Sequence, residues 1–185
     1  MFPLTATALS DATLLDGDQL DLLLLALRVI AGVTIFVHGY NHLFGGGRIP
    51  GTARWFDSLG MRPSGLLHAW LATLTELGTG VLLVLGLLTP LASAGVIGLM
   101  VVAGWTVHRK NFLVFKEGWE YVMILGVFCL AIATLGPGTL SLDEALGLRE
   151  TLNDGLTGGV IALAVGLVAG IGTLVACYRP PAAAS

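Results

Sequence analysis

LDLLLLALRVIAGVTIFVHGYNHLF, residues 20–44, decides the class of fold. The run exceeds the roughly 20 apolar residues that a helix needs to cross a bilayer. Arg28 sits inside it. A charge within a spanning helix costs roughly 2.5–3.5 kcal/mol on insertion scales, so it must turn inward. A second run, LLHAWLATLTELGTGVLLVLGLL at 66–88, holds Glu76 in the same way. Opposite charges in two such helices predict contact between Arg28 and Glu76.

A count of depth supports the pairing. Arg28 lies ten residues before His38, about 15 Å along a helix. Glu76 lies eight residues after His68, about 12 Å. If His38 and His68 mark one level, the two charges share another near the membrane middle. Arg28, Gly32, Ile35, His38 and His42 share one helix face. Ala69, Ala72, Thr73, Glu76, Thr79 and Gly80 form a face of small residues, which lets helices approach closely. Two roles are open for the pair: fixing helix register, or forming a proton or ligand site.

The whole chain agrees with a membrane setting. Of its 185 residues 55% are hydrophobic and 11% charged, against about 25% charged in soluble domains. The net charge of −3 gives no sign of a nucleic-acid partner. Cys129 and Cys177 form no CxxC motif and read as unpaired apolar fillers. The expected class is an all-α membrane protein, a four-helix transmembrane bundle with a fifth, C-terminal transmembrane helix.

The predicted spans are 21–43, 66–88, 91–108, 119–136 and 156–178. Residues 1–20 hold three Asp and no Lys or Arg, the wrong charge for a signal peptide. They are expected to remain as an extracytoplasmic tail. The four-helix domain covers 21–142, with a cytoplasmic interfacial loop at 44–65 whose Ala53, Trp55, Phe56 and Leu59 predict a short amphipathic helix. An acidic outer loop follows at 143–155, and a cytoplasmic tail at 179–185. Arg48, Arg54, Arg62, Arg109, Lys110, Lys116 and Arg179 fall on one side of this alternation, and Arg149 on the other. The positive-inside rule then places the N-terminus outside and the C-terminus in the cytoplasm of a bacterial-type plasma membrane.

All four histidines, His38, His42, His68 and His108, fall at the basic side, with Glu117 and Glu120. Histidine titrates near neutral pH, so a His–Glu arrangement can relay protons or hold a quinone head group. His108 with Glu120 is the expected proton relay. Arg28, His38, Glu76 and Trp119 are the expected ligand-binding residues. His38 and His42 have an i, i+4 spacing, but no HExxH motif accompanies them and no metal site is expected. The fifth span has no charge and no histidine. Its ladder Gly158, Ala162, Gly166 and Gly170 reads as packing against the bundle or another copy of the chain, leaving chemistry to the first four.

An ordered set of motifs from Leu22 to Leu142 resembles the DoxX family of small membrane proteins. It comprises Arg28, the His38-Gly39 step, TELGTGVLLVLGLLTPLAS around Glu76, His108, Gly118-Trp119-Glu120-Tyr121, and LGPGTLSLD at 135–143. Where family members often have Lys after the HG step, this chain has Asn41 and His42. The resemblance implies a four-helix membrane bundle. It also implies a redox setting, since relatives include the quinone-reducing membrane subunit of thiosulfate–quinone oxidoreductase and a member associated with superoxide dismutase and a sulfurtransferase. The leading expectation is therefore a membrane subunit of a quinone-linked sulfur, thiol or oxidative-stress oxidoreductase, with quinone as the ligand and a sulfurtransferase or superoxide dismutase as partner. A non-catalytic scaffold that anchors partner proteins is the alternative.

Overall fold

The structure is a computed structural model and describes residues 16–180. Most of the expected N-terminal tail and the end of the C-terminal tail lie outside that range. The described residues form an all-α membrane protein. In order they are α1 (Gly17–Phe44), α2 (Arg48–Leu59), α3 (Gly65–Leu85), α4 (Thr89–His108), α5 (Glu120–Leu135), the single turns α6 (Leu142–Ala145) and α7 (Arg149–Leu152), and α8 (Thr157–Cys177). Four helices, α1, α3, α4 and α8, are long and apolar enough to span a membrane. The shorter α5 is equally apolar.

Local chemistry sets the ends. Asp16 caps α1 by accepting from Gln19 N at 2.7 Å, which satisfies a free first-turn donor. Ser64 caps α3 by accepting from Leu67 N, while Asp57 accepts from Gly65 N at 2.6 Å. Gly86 ends α3 in the left-handed region at φ 62°, and Pro90 fits the first turn of α4. The last turn of α4, Gly104–His108, widens into a π-helix, a distortion that is frequent at functional sites.

The α1–α3 and α4–α8 pairs are the most extensive contacts. In the first, Gly32 and Gly80 face each other. A Cβ on Gly32 would lie 2.6 Å from the Gly80 carbonyl oxygen, and one on Gly80 2.8 Å from the Gly32 oxygen. Only glycine permits that approach, so this point locks the register of the two helices. The fourth wall is α5, packed on α4 and more lightly on α1.

The α2 helix forms as expected, burying Ile49, Ala53 and Phe56 under the bundle. The chain end joins it: Arg62 N donates to Cys177 O at 2.8 Å and Arg179 N to Gly60 O at 2.9 Å. One side of the molecule, the α2 side, thus collects the 45–64 connection, the 109–119 connection and the end of α8. The opposite, hairpin side carries the α3–α4 turn and residues 136–156.

The ladder of α8 packs on the bundle as expected, with Gly158, Ala162, Gly166 and Gly170 all buried. A Cβ on Gly166 would stand 2.7 Å from Ile97 Cγ2 and 2.9 Å from the Ala94 carbonyl oxygen. Gly166→Leu should therefore push α8 off α4 and lower stability by about 1–3 kcal/mol, the usual cost of overpacking. Thermal unfolding in detergent measures this. An unchanged midpoint would show that α8 adapts freely.

Candidate functional site

Arg28 and Glu76 do not meet. The antiparallel register set at Gly32 and Gly80 brings Arg28 level with Leu83 and Gly86, and Glu76 level with Gly39. Ten residues of helix, about 15 Å, separate the two levels. The depth count misplaced them because His38 and His68 are not level. Helix α1 continues to Phe44, and His42, not His38, reaches Thr73 and Glu76.

Arg28 belongs to a clamp on the hairpin side. Its side chain is wholly buried. Its guanidinium donates to the carbonyl oxygens of Leu140 and Leu83. A Cβ on Gly86 would collide with it. Asp143, also 0% exposed, forms no ion pair with Arg28 but is a second buried acid–base group on this side. The same carboxylate accepts from Leu88 N at 2.7 Å and Thr89 N at 2.9 Å, capping α4. Asp21 of α1 accepts from the backbone N–H and the hydroxyl of Thr139. These bonds give a physical reason for LGPGTLSLD: the segment is a strap that ties α1 to the α3–α4 turn.

Glu76 instead lines a cavity of about 460 Å³ on the α2 side of the bundle. Ligand pockets commonly measure about 300–1,000 Å³, with mostly apolar walls and a few placed polar groups. His38, His42, His68, His108 and Tyr121 share the lining with Glu76. Trp55 and Phe56 of α2 and Leu99, Met100 and Val102 of α4 are among its apolar walls.

The hydrogen bonds define the polar end. Thr73 Oγ1 donates to Ala69 O at 2.7 Å, so it accepts from His42 Nδ1 at 3.2 Å. That leaves Glu76 Oε2, 3.3 Å from the same nitrogen, buried and without a hydrogen bond. A buried carboxyl oxygen left without a hydrogen bond costs free energy that a bound donor recovers. Tyr121 Oη lies 3.3 Å from His38 Nε2. His68 Nε2 donates to Arg62 O at 2.7 Å, and His108 Nδ1 donates to Glu117 O at 2.8 Å. Each carbonyl thereby selects the ring tautomer and leaves the other nitrogen as acceptor.

Of the residues expected from sequence, His38, Glu76 and His108 come together at this cavity. Arg28 does not line it. Glu120 does not pair with His108: its carboxylate accepts from Val114 N at 3.0 Å. Trp119 packs edge-on against Phe112 at 4.9 Å and lines a separate groove. Sequence reading missed the approach of His42 to Glu76 and the role of Tyr121, which entered as the end of the Gly118–Tyr121 motif. It also divided chemistry from packing too sharply, since Ala169, Gly170 and Thr173 of α8 line the cavity. Small residues carry no chemical signal in a sequence, and only the packing shows what they border.

The DoxX family model matches residues 23–109, a stretch that contains Arg28, Glu76 and all four histidines. A Bacillus subtilis (strain 168) protein named "Putative oxidoreductase CatD" is 33% identical over 119 residues, covering 64% of this chain and 83% of that protein. No solved structure matches the chain. On the family match, and on a relative covered over most of its length, the chain belongs to the DoxX family.

Proposed function

We propose that this protein is the membrane subunit of a redox system and that its cavity binds a quinone-type ligand. The observation that carries the reading is the buried Glu76 Oε2, 3.3 Å from His42 Nδ1 but without a hydrogen bond, in an apolar cavity that the His38–Tyr121 pair also lines. The donor set fits such a head group. Tyr121 Oη can donate to a carbonyl oxygen, and the Glu76 carboxyl can accept from a hydroxyl. The similarity to a protein named as an oxidoreductase supports a redox setting.

A bound quinone would supply two-electron, two-proton chemistry. The chain's residues would do the rest. Glu76 holds the head group through its free oxygen. His42, 3.3 Å away, takes or returns the proton at Nε2, since its Nδ1–H donates to Thr73 Oγ1. His108, at the π-turn of α4, passes protons toward the loop that carries Glu117. Apolar side chains of α4 exclude water from the remainder. A redox protein on the α2 side, of the sulfurtransferase or superoxide dismutase class that the resemblance implies, exchanges the electrons.

The test is extraction of lipophilic ligands from protein purified in mild detergent, followed by titration of the stripped protein with a short-chain quinone. Saturable one-to-one binding is expected. A protein that retains a stoichiometric partner but never binds quinone would be the scaffold alternative instead.

The α2 side is proposed to face the cytoplasm, because Arg48, Arg54, Arg62, Arg109, Lys110, Lys116 and Arg179 all lie there. Single cysteines at Arg54 and Lys110 should both resist a membrane-impermeant thiol reagent in intact cells and react once the membrane is opened. Opposite accessibility at the two positions would refute the placement.

A further inference from the structure

A second recess, about 710 Å³, lies on the outside of the bundle between α4, α5 and α8. Its shape follows from how the three helices pack. On the hairpin side α5 and α8 touch: a Cβ on Gly158 would collide with the Ala133 carbonyl oxygen, and one on Gly159 with Thr134 Oγ1. Toward the α2 side they part over α4 and leave Met100 and Gly104 as floor. Gly126 keeps the α5 wall low, and a Cβ there would meet only Met100, at 3.8 Å. The groove is therefore closed at one end and open at the other. From Ile97 to Arg109 it runs twelve residues of α4, about 18 Å. That is close to the depth of one leaflet, half of a hydrocarbon core about 30 Å thick.

The open end carries a cation against an aromatic ring. Arg109 lies with its guanidinium carbon 5.5 Å from the Trp105 ring centroid, and Trp119 lines the same end. No carboxylate pairs with Arg109 among the described residues. Glu120, next to Trp119 in the chain, has its carboxylate engaged with Val114 N. Trp and Arg at headgroup depth suit an interfacial anion.

We propose that this groove seats one acyl chain of an anionic phospholipid from the α2-side leaflet, with its phosphate on Arg109. The site is separate from the Glu76 cavity and does not depend on the quinone reading. Nanodiscs of phosphatidylcholine with a minor share of phosphatidylglycerol provide the test. Lipid retained after detergent extraction is quantified by mass spectrometry. Wild-type protein should retain phosphatidylglycerol preferentially. Arg109→Gln should cut that preference about fivefold, the usual weight of one basic residue at an anionic surface. Gly126→Leu should cut it by filling the groove with the charge intact. Arg54→Gln, outside the groove, should leave it unchanged. Arg109 is exposed, so its variant tests the site even if Gly126→Leu fails to fold. Unchanged preference in Arg109→Gln, or an equal drop in Arg54→Gln, would overturn the proposal. So would a Gly126→Leu protein that loses a dimer while keeping its lipid, since a second copy would then cover the groove.

Discussion

Glu76→Gln should weaken quinone binding by about tenfold or more while the protein still folds. The amide keeps the volume and shape of the side chain, so packing is preserved. It replaces a carboxyl oxygen with an NH2 group, and a ligand donor left facing it without an acceptor costs about 1–3 kcal/mol, where each 1.4 kcal/mol is about a factor of ten. His42→Gln should also weaken binding, and the two changes together should cost less than their sum, because His42 Nδ1 lies 3.3 Å from Glu76 Oε2. Titration of the stripped protein with a short-chain quinone measures all three. Wild-type affinity in a folded Glu76→Gln protein would remove the carboxylate from the site.

Asp143→Ala should destabilise the protein by about 2–4 kcal/mol, at about 1–3 kcal/mol for each buried donor left without an acceptor. Two effects combine. The Leu88 and Thr89 amides lose their shared acceptor at the start of α4. Arg28, wholly buried and bonded to Leu140 O of the same strap, loses the fixed geometry of that segment. The double variant Arg28→Leu with Asp143→Ala should recover part of the loss, since an apolar residue leaves no cation behind. Thermal unfolding in detergent reads the difference. Strict additivity of the two changes would show that they act independently. Quinone affinity of the folded fraction should not move, because neither residue lines the cavity.

These two predictions separate groups that sequence reasoning had joined. That Arg28 and Glu76 must both turn inward was legible, because the penalty for a lipid-facing charge depends only on residue type and the apolar run around it. That they do not meet was not. A helix can slide along its partner with little change in its own sequence pattern. The Gly32–Gly80 approach stops the slide at one register, and that register gives Glu76 to His42 and Arg28 to the Leu140–Asp143 strap. Hydrophobic runs, helix caps and the one-sided distribution of Lys, Arg and His are properties of local sequence, so the sequence alone determined the four long helices, the α2 helix and the grouping of the histidines, while the expected span at 119–136 is a shorter helix. The cavity is a property of distant surfaces. Tyr121 of α5, His38 of α1 and Thr173 of α8 reach the same space only through packing. The tertiary structure decided which of the inward polar groups became a site and which became a clamp, because pairing inside a bundle depends on register and neighbours that no single helix encodes.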